Sequence, residues 1–348
     1  MPPPRRQAAL SHIGEFQLIQ SITSSQSHPS PGIILGIGDD AAILDIPKGR
    51  HLVISTDMLV EQIHFNRRHA SFFEIGYKAA VANLSDMAAM GAHPTALLVS
   101  VALPAALTFQ NWKDLYRGLS APCRTHQVRI IGGDTSSSPS HMFLSVTIVG
   151  TVKKGCALRR SGAKKGHSVY VSGTLGDSSA GLDYLQTQTS RTKVRGIPLN
   201  VARHLVRRHF RPTPKIALGK LLGNAHWASA AIDISDGLSS DLGHLCQQSR
   251  VGAIIQADAL PLSTSLKDYA ACKNGDSLTW ALHGGEDYEL LFTVPPQYGK
   301  KVEEAAQQHS LPITKIGVIT SYQAGIRLQD AAGNLTALPP GGYNHFPS

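Results

Sequence analysis

The chain has 348 residues, a length that suits two folded domains better than one ordinary core. Hydrophobic residues make up 42% and charged residues 16%, which excludes a disordered or fibrous protein, and the formal net charge is +9. The start MPPPRRQAALSH lacks the apolar run of a signal peptide, and no stretch approaches the roughly 18 apolar residues of a membrane span, so we expect a cytoplasmic protein without a membrane partner.

The first part of the chain predicts an extension followed by a folded domain. Residues 1–32 combine a short helix, around Glu15 to Ile19, with a polar connector that contains two prolines. Beyond it, the alanine-rich stretch from Phe73 to Met90 is too long for a strand and predicts a helix. Strands are predicted at Ile33 to Leu35, His51 to Ser55 and Ala96 to Ala102. We assign residues 33–150 to this domain.

A second set of elements begins with SVTIVGTV near Val146, and we place the domain boundary near residue 150, so that 151–348 form the second domain. Its predicted strands are SVYVSG, SAAIDI and YELLFTV, with a long basic helical stretch through Lys220 between the first two. The polar stretch from Gln186 to Thr192 predicts an exposed loop, and the final ALPPGGYNHFPS predicts irregular structure. Alternating strands and helices indicate a two-domain α+β or α/β protein.

Neither the cysteines nor the basic residues carry a metal-binding or nucleic-acid-binding signature. Cys123, Cys156, Cys246 and Cys272 form no CxxC pair and predict ordinary thiols. The basic residues occur in small groups without interleaved aromatic residues. Phosphate-bearing small molecules therefore explain the charge better than nucleic acid does.

The glycine turn Gly36-Ile37-Gly38-Asp39-Asp40-Ala41 follows an apolar strand and formally fits the dinucleotide pattern GxGxxG/A. Two adjacent carboxylates would repel a pyrophosphate there, so Asp39 and Asp40 favour a bound cation instead. A solvated glycine turn is the alternative reading.

The next strand ends in Ser55-Thr56-Asp57, whose hydroxyl and carboxylate oxygens suit magnesium, an ion that prefers oxygen ligands. His64 lies shortly after it and either contacts substrate or packs between Ile63 and Phe65.

On the predicted helix, Ala79, Ala82, Asp86 and Ala89 share one face. The small residues allow another backbone or a ligand to approach closely. Burial of an uncompensated carboxylate would be very unfavourable, so Asp86 favours metal binding over a solvated position.

Acids follow glycine or serine turns at further element ends. Asp134 follows Gly132 and Gly133 after an apolar strand, and Glu286 and Asp287 follow two glycines directly before a strand. Asp233 and Asp236 flank Ser235, which is a plausible N-cap of the next helix. Five such clusters around one cleft would repel one another unless several Mg²⁺ ions and a polyphosphate were bound between them.

The motifs in chain order closely resemble the thiamine-monophosphate kinase family over roughly residues 12 to 346. They are LGIGDDAAIL, ISTDMLVEQIHF, VANLSDMAAMGAHP, IIGGDT, RRSGAKKG, VSGTLGDSSAGL, AIDISDGLSSDLGHL and GGEDYELLFTV. That family shares a superfamily with aminoimidazole ribonucleotide synthetase, selenophosphate synthetase and a hydrogenase-maturation protein, all of which bind ATP without a P-loop.

The resemblance implies an α+β homodimer of two-domain subunits. The N-terminal mixed-sheet domain would bind ATP and Mg²⁺ and form the dimer, and the C-terminal α/β sandwich domain would complete the active site. The implied reaction is direct in-line transfer of phosphate from ATP to thiamine monophosphate, giving ADP and thiamine diphosphate.

The resemblance also implies roles for particular residues, with no catalytic residue distinct from the metal ligands. The Mg²⁺ ligands would be Asp40, Ser55, Thr56, Asp57, Asp86, Asp134, Asp233 and Asp236. ATP would contact Tyr116, Gly133, Asp134, Arg160 and Ser235, and thiamine monophosphate would contact His64, Glu286 and Tyr343.

Two alternatives are weighed against this assignment. Another ATP-dependent synthetase of the superfamily is the first, although the chain lacks both a reactive Cys in a glycine-rich N-terminal segment and a C-terminal Cys. A basic nucleic-acid-binding protein is the second, and its binding would weaken steeply with salt and ignore magnesium and ATP.

Overall fold

The computed structural model describes residue 21 and residues 32–35, 43–189 and 196–343. The predicted first helix, most of the connector, the Asp39-Asp40 pair and residues 190–195, which include the end of the polar stretch, lie outside the described residues. The chain divides into two compact units, one formed by Met1–Leu84 and His93–Val152 and the other by Ser85–Ala92 and Lys153–Ser348.

The first unit is built on a mixed sheet. Its strands are β3 (Arg50–Val60), β4 (His93–Pro104), β5 (Arg129–Ser138) and β6 (Phe143–Lys153), in the order β3-β6-β4-β5. Strand β4 runs parallel to β5 and antiparallel to β6. Two short strands, β1 (Ile33–Leu35) and β2 (Ile43–Leu44), pair separately. The SVTIVGTV segment, predicted to open the second set of elements, is therefore a strand of the first unit.

The helices α1 (Phe72–Ala89) and α2 (Phe109–Thr125) cross at two glycines. A Cβ atom on Gly76 would overlap the carbonyl oxygen of Leu115, and one on Gly118 would overlap that of Phe73. Helix α2 begins with a capping box, in which Thr108 and Asn111 satisfy each other's backbone amides. The predicted helix from Phe73 to Met90 is confirmed to within one residue at each end.

Strand β3 carries an exposed apolar row. Leu52 is 45% exposed, and Ile54 and Met58 are each 60% exposed. Because side chains alternate along a strand, these residues share one face of the sheet with Thr56, whereas Ser55 and Asp57 point to the other.

The second unit contains a seven-stranded sheet within the described residues, in the order β13-β12-β9-β11-β7-β10-β8. The strands are β7 (Ser168–Ser172), β8 (Ala230–Asp233), β9 (Val251–Gln256), β10 (Leu290–Val294), β11 (Ile313–Ser321), β12 (Ile326–Gln329) and β13 (Leu335–Ala337). Neighbours are antiparallel apart from β12 and β9, which are parallel. Every residue of β8 and β10 is buried, as their mostly apolar sequences predict, and the buried set includes Asp233 and Thr293.

Helices cover this sheet. They are α3 (Asp177–Thr189), α4 (Leu199–Phe210), α5 (Ile216–Asn224), α6 (Leu238–Ser249), α7 (Thr264–Lys273), α8 (Ser277–His283) and α9 (Gly299–Gln308). The prediction of a loop starting at Gln186 is wrong, because helix α3 continues to Thr189. The long basic stretch is divided into separate helices, with Pro212 and Pro214 between α4 and α5. Among the described residues no helix is long and apolar enough to cross a bilayer.

Candidate active site

The end of strand β8 holds a buried carboxylate beside another acid. Asp233 is 5% exposed, and its Oδ2 accepts a hydrogen bond of 2.7 Å from Ser85 Oγ. Burial and the nearby charge of Asp86 raise the pKa of Asp233 to about 7, against the opposing effects of Ser85 and Arg160. Two acids thus compete to carry negative charge here, and a bound cation would relieve that repulsion.

The turn after β8 is organised by a residue that the sequence analysis did not assign, Asp241. Its Oδ2 accepts hydrogen bonds from the backbone N–H groups of Ser235, Asp236 and Gly237, at 3.1, 3.2 and 3.1 Å. Asp241 is 2% exposed, and burial together with the charges of Asp233 and Asp236 raises its pKa to about 8. An acid in the first turn of a helix was the available signal.

The predicted N-cap role of Ser235 is wrong. The cap of α6 is Gly237, whose φ of 123° favours glycine, and no side chain caps the helix there. Ser235 instead lies in the preceding turn, half-buried, with its backbone N–H bonded to Asp241. Its hydroxyl is therefore not used to begin the helix.

Two predicted substrate residues are attached to this turn through their backbones. The N–H of Glu286 donates to the carbonyl of Ser235 at 2.7 Å, and the N–H of Tyr343 donates to the carbonyl of Asp236 at 3.2 Å. Glu286 has a φ of 65°, in the left-handed region that an L-residue rarely adopts. The turn therefore brings Asp236, Glu286 and Tyr343 together within the second unit.

Glu286 also approaches a histidine. Its Oε2 lies 3.6 Å from Nδ1 of His209, which is 4% exposed and lies 3.2 Å from the hydroxyl of Ser178. The side chain of Glu286 remains half-buried. One of its carboxylate oxygens is thus oriented by contacts inside the unit.

Behind Glu286 lies a buried ion network. Arg208 Nη2 is 2.9 Å from Glu289 Oε1, and Lys215 Nζ is 3.0 Å from the same atom. Asp287 is 1% exposed and accepts hydrogen bonds from the backbone N–H groups of Gly176 and Ser178. Burial raises the pKa of Asp287 to about 7, with Arg208 opposing the shift. Asp287 belongs to this network, and its side chain is not available to a ligand.

In the first unit, the Ser55-Thr56-Asp57 motif divides between two faces of β3. Ser55 and Asp57 are half-buried, whereas Thr56 is exposed on the opposite face. The Thr56 hydroxyl donates to the Val146 carbonyl at 3.2 Å and accepts from Thr147 at 3.0 Å. The three side chains cannot all converge on one ion, so Thr56 could contribute only through its backbone oxygen.

The glycine–aspartate pair of β5 lies against β4. Gly133 and Asp134 are exposed and stand opposite Val99 and Ser100 in the parallel register. Gly133 has a φ of 151°, and a Cβ atom on it would overlap the Val99 carbonyl oxygen. Glycine is therefore required at this position, and the Asp134 carboxylate accepts the N–H of Thr135 at 2.9 Å.

His64 has a defined tautomer. Its Nδ1 accepts a hydrogen bond of 3.0 Å from the N–H of Val60, so the neutral ring carries its proton on Nε2. The interpretation of His64 as a residue packed between apolar neighbours receives little support, because Ile63 is 54% exposed and His64 itself is half-buried. A cavity of about 440 Å³ opens beside this segment and is lined by Glu61, Gln62, Asn66, Arg67 and Arg68.

The remaining predicted ATP contacts differ in exposure. Arg160 is exposed, and its carbonyl accepts a hydrogen bond of 3.0 Å from Ser249. Tyr116 is 6% exposed and packs against Trp112 with 4.5 Å between ring centroids, and burial raises its pKa. The accessible area of Tyr116 is small for a nucleotide contact, and its position favours packing within the first unit.

The predicted metal ligands do not form a complete protein-only cage. Within the described residues, no three His, Cys, Asp or Glu side chains lie close enough to hold a metal ion by themselves, and Asp40 lies outside those residues. Carboxylate and hydroxyl oxygens at 55, 57, 86, 134, 233 and 236 nevertheless suit Mg²⁺, because this ion is commonly bound by one or two carboxylates together with water and substrate phosphates.

Comparison with known proteins first defines the class. Residues 38–152 match the family "AIR synthase related protein, N-terminal domain", and residues 164–327 match its C-terminal counterpart. The chain is thus a two-domain protein of the AIR synthase related type. The thiamine-monophosphate kinase of Salmonella typhimurium is 40% identical over 335 residues, which cover 96% of this chain and 98% of that protein.

Solved structures of thiamine-monophosphate kinases are also similar to this chain. The thiamine-monophosphate kinase of Stenotrophomonas maltophilia K279a is 37% identical with a TM-score of 0.79, covering 91% of this chain and 95% of that one. AaThiL, solved in complex with AMPPCP and TMP, is 33% identical with a TM-score of 0.75, covering 98% and 100% of the two chains. The chain belongs to the thiamine-monophosphate kinase family.

Proposed function

We propose that this chain transfers the terminal phosphoryl group of ATP to thiamine monophosphate, giving thiamine diphosphate and ADP. The turn at Ser235–Asp236 carries the proposal, because it follows the buried Asp233, which has Asp86 nearby, and it accepts hydrogen bonds from the backbones of Glu286 and Tyr343. The family's kinases and a relative that holds an ATP analogue and TMP support the same reaction.

We propose that several Mg²⁺ ions accompany ATP. The proposed ligands are Asp40, Ser55, Asp57, Asp86, Asp134, Asp233 and Asp236, together with the backbone oxygen of Thr56. The fit rests on their hard oxygen donors and on the raised pKa of Asp233, caused by burial and by Asp86. When bound, the ions would neutralise the phosphoryl oxygens during transfer.

The other proposed contacts follow from charge and exposure. The exposed guanidinium of Arg160 can donate two parallel hydrogen bonds to phosphate oxygens of ATP. Nε2–H of His64 can donate to an anionic phosphate, since Nδ1 is already engaged. Tyr343, 50% exposed, offers an aromatic face to the cationic thiazolium ring, and Glu286 adds a negative charge for it.

No general base is required for this transfer. The attacking oxygen belongs to a phosphate that is already anionic at neutral pH, so the task of the protein is to position two anions in line and offset their repulsion.

The N-terminal unit would also form the homodimer, using the exposed face of β3 with Leu52, Ile54 and Met58. Light scattering at micromolar concentration tests that assembly.

The reaction is tested by ADP release from purified protein. We expect release with ATP, Mg²⁺ and thiamine monophosphate, its loss with chelator, and little release when thiamine or an aminoimidazole precursor replaces the phosphate acceptor. Asp134→Asn and Asp236→Asn should each lower kcat by about a hundredfold or more with little change in Tm. Asp268→Asn, an exposed acid elsewhere in the second unit, is the matched control. Full turnover by either variant, or turnover in chelator, would refute the assigned metal role.

A further inference from the structure

We infer that Asp241 is a positioning residue for this reaction: by fixing the Ser235–Gly237 turn, it fixes where the backbones of Glu286 and Tyr343 lie relative to Asp236. The inference rests on the proposed function of those residues. Asp241 itself is 2% exposed and contacts the turn through backbone groups, so its effect on substrate is exerted through other residues.

The first step is that one carboxyl group accepts hydrogen bonds from three backbone amides. Asp241 Oδ2 accepts the N–H groups of Ser235, Asp236 and Gly237 at 3.1 to 3.2 Å. Three hydrogen bonds from consecutive backbone amides to one carboxyl oxygen define the orientation of consecutive peptide planes.

The second step is transmission across those same peptide planes. The plane that carries the Asp236 N–H also carries the Ser235 carbonyl, which accepts from Glu286 at 2.7 Å. The plane that carries the Gly237 N–H also carries the Asp236 carbonyl, which accepts from Tyr343 at 3.2 Å. Because a peptide unit is planar, a rotation released on the amide side must displace the carbonyl on the other side.

The chain at Gly285 and Gly342 packs closely against the turn carbonyls, so these segments have little room to shift independently of the turn. A Cβ atom on Gly285 would overlap the Ser235 carbonyl, and one on Gly342 would overlap the Asp236 carbonyl. The segments that carry Glu286 and Tyr343 therefore lie in direct backbone contact with the turn. Ser239 adds a second attachment for the C-terminal segment, donating to the Gly341 carbonyl at 2.7 Å, so loss of Asp241 should loosen Tyr343 without detaching it.

The test compares Asp241→Asn and Asp241→Ala with Leu245→Ala. Leu245 is fully buried one turn further along α6 in the hydrophobic core, so its truncation destabilises the same helix without removing a hydrogen bond to the turn amides. Three quantities are measured for each protein below its Tm: KM for thiamine monophosphate at saturating ATP, kcat, and hydrogen exchange at the amides of residues 235–237, 286 and 343 without ligands.

We expect both Asp241 variants to raise KM for thiamine monophosphate by about tenfold, the factor that corresponds to about 1.4 kcal/mol. In both Asp241 variants, amide hydrogen exchange should be faster at residues 235–237 and also at residues 286 and 343. Leu245→Ala should lower Tm while KM and the local exchange pattern stay as in the wild type. If Asp241→Ala does not fold, Asp241→Asn alone decides, because it keeps the size of the side chain.

Two outcomes would overturn the inference. One is an unchanged KM and unchanged exchange at 286 and 343 in a folded Asp241 variant, and the other is an equal change in Leu245→Ala, which would indicate general destabilisation. Failure of the proposed function would look different, because the wild type itself would then transfer no phosphate to thiamine monophosphate. The exchange measurement in the free protein would still decide whether Asp241 organises these segments.

Discussion

Replacement of Arg208 by Met should destabilise the second unit, and more so at high pH. The side chain is 17% exposed, with Nη2 at 2.9 Å from Glu289 and Nε at 3.5 Å from Asp177. Burial alone would lower the pKa of Arg208, but the charges of Glu289, Asp287 and Asp177 raise it on balance. Met keeps much of the apolar stem and removes the charge, so the three acids lose their shared cation.

The magnitude follows from the geometry. Unit charges 2.9 Å apart interact by about 6 kcal/mol at an effective dielectric constant of about 20. Removal of one partner of a buried pair typically destabilises by about 3–5 kcal/mol. Lys215 stays 3.0 Å from Glu289, so we expect the lower end, about 3 kcal/mol, or a Tm lower by about 6–12 °C for a unit of this size.

The dependence on pH comes from Asp287. Its folded-state pKa, about 7, lies above the ordinary value of 3.8, so stability from this group is present at low pH and is lost as pH rises through 7. Without Arg208 the pKa of Asp287 rises further, because the opposing charge has gone. The loss of stability should therefore be at least about 1 kcal/mol larger at pH 8.5 than at pH 6.

Thermal unfolding followed by near-ultraviolet circular dichroism at both pH values provides the assay. Arg207→Met is the matched control, since Arg207 is exposed on the same helix and its change should leave Tm nearly constant. An unchanged Tm in Arg208→Met, or a loss that is as large at pH 6 as at pH 8.5, would refute the reasoning about the ion network.

Three further predictions test other contacts. Gly133→Ala should destabilise the first unit by at least about 2 kcal/mol in denaturant unfolding, whereas Gly49→Ala, also at positive φ but with no atom within 4 Å of its Cβ, should have less effect; equal losses would exclude the overlap as the cause. Thr56→Val should keep kcat within about threefold, while Asp57→Asn should lower kcat by about a hundredfold, and the reverse order in steady-state kinetics would contradict the division of β3 into two faces. Tyr343→Phe should retain its KM for thiamine monophosphate, Tyr343→Ala should raise that KM by about tenfold, and similar values for the two would exclude an aromatic contact.

The elements with strong local patterns were predictable from sequence. Helix α1 and the buried strands β8 and β10 follow from long apolar or alanine-rich runs, and the acids at strand ends could be named because glycines flank them. The error at Gln186 has a local cause. A polar stretch without apolar residues resembles a loop in the sequence, but it can extend a helix into solvent when the preceding turns are packed.

The contacts within the site could not be predicted, because they join residues far apart in the chain. Ser85 bonds to Asp233 across 148 positions, and Ser172 bonds to Glu289 across 117. Asp241 was missed for a different reason: an acid in the first turn of a helix normally indicates a favourable dipole interaction, and nothing in the local sequence shows that it accepts three amides of the preceding turn.

The crossing of α1 and α2 at Gly76 and Gly118 restricts which sequences this unit can accept. At each glycine the obstacle to a larger residue is the main chain of the opposite helix, at Leu115 and Phe73 respectively. A smaller side chain elsewhere cannot remove a carbonyl oxygen, so no second-site suppressor should rescue a substitution at either position. In a saturation-mutagenesis library selected for growth, these two codons should tolerate no replacement. Exposed positions on the same two helices should accept many different residues.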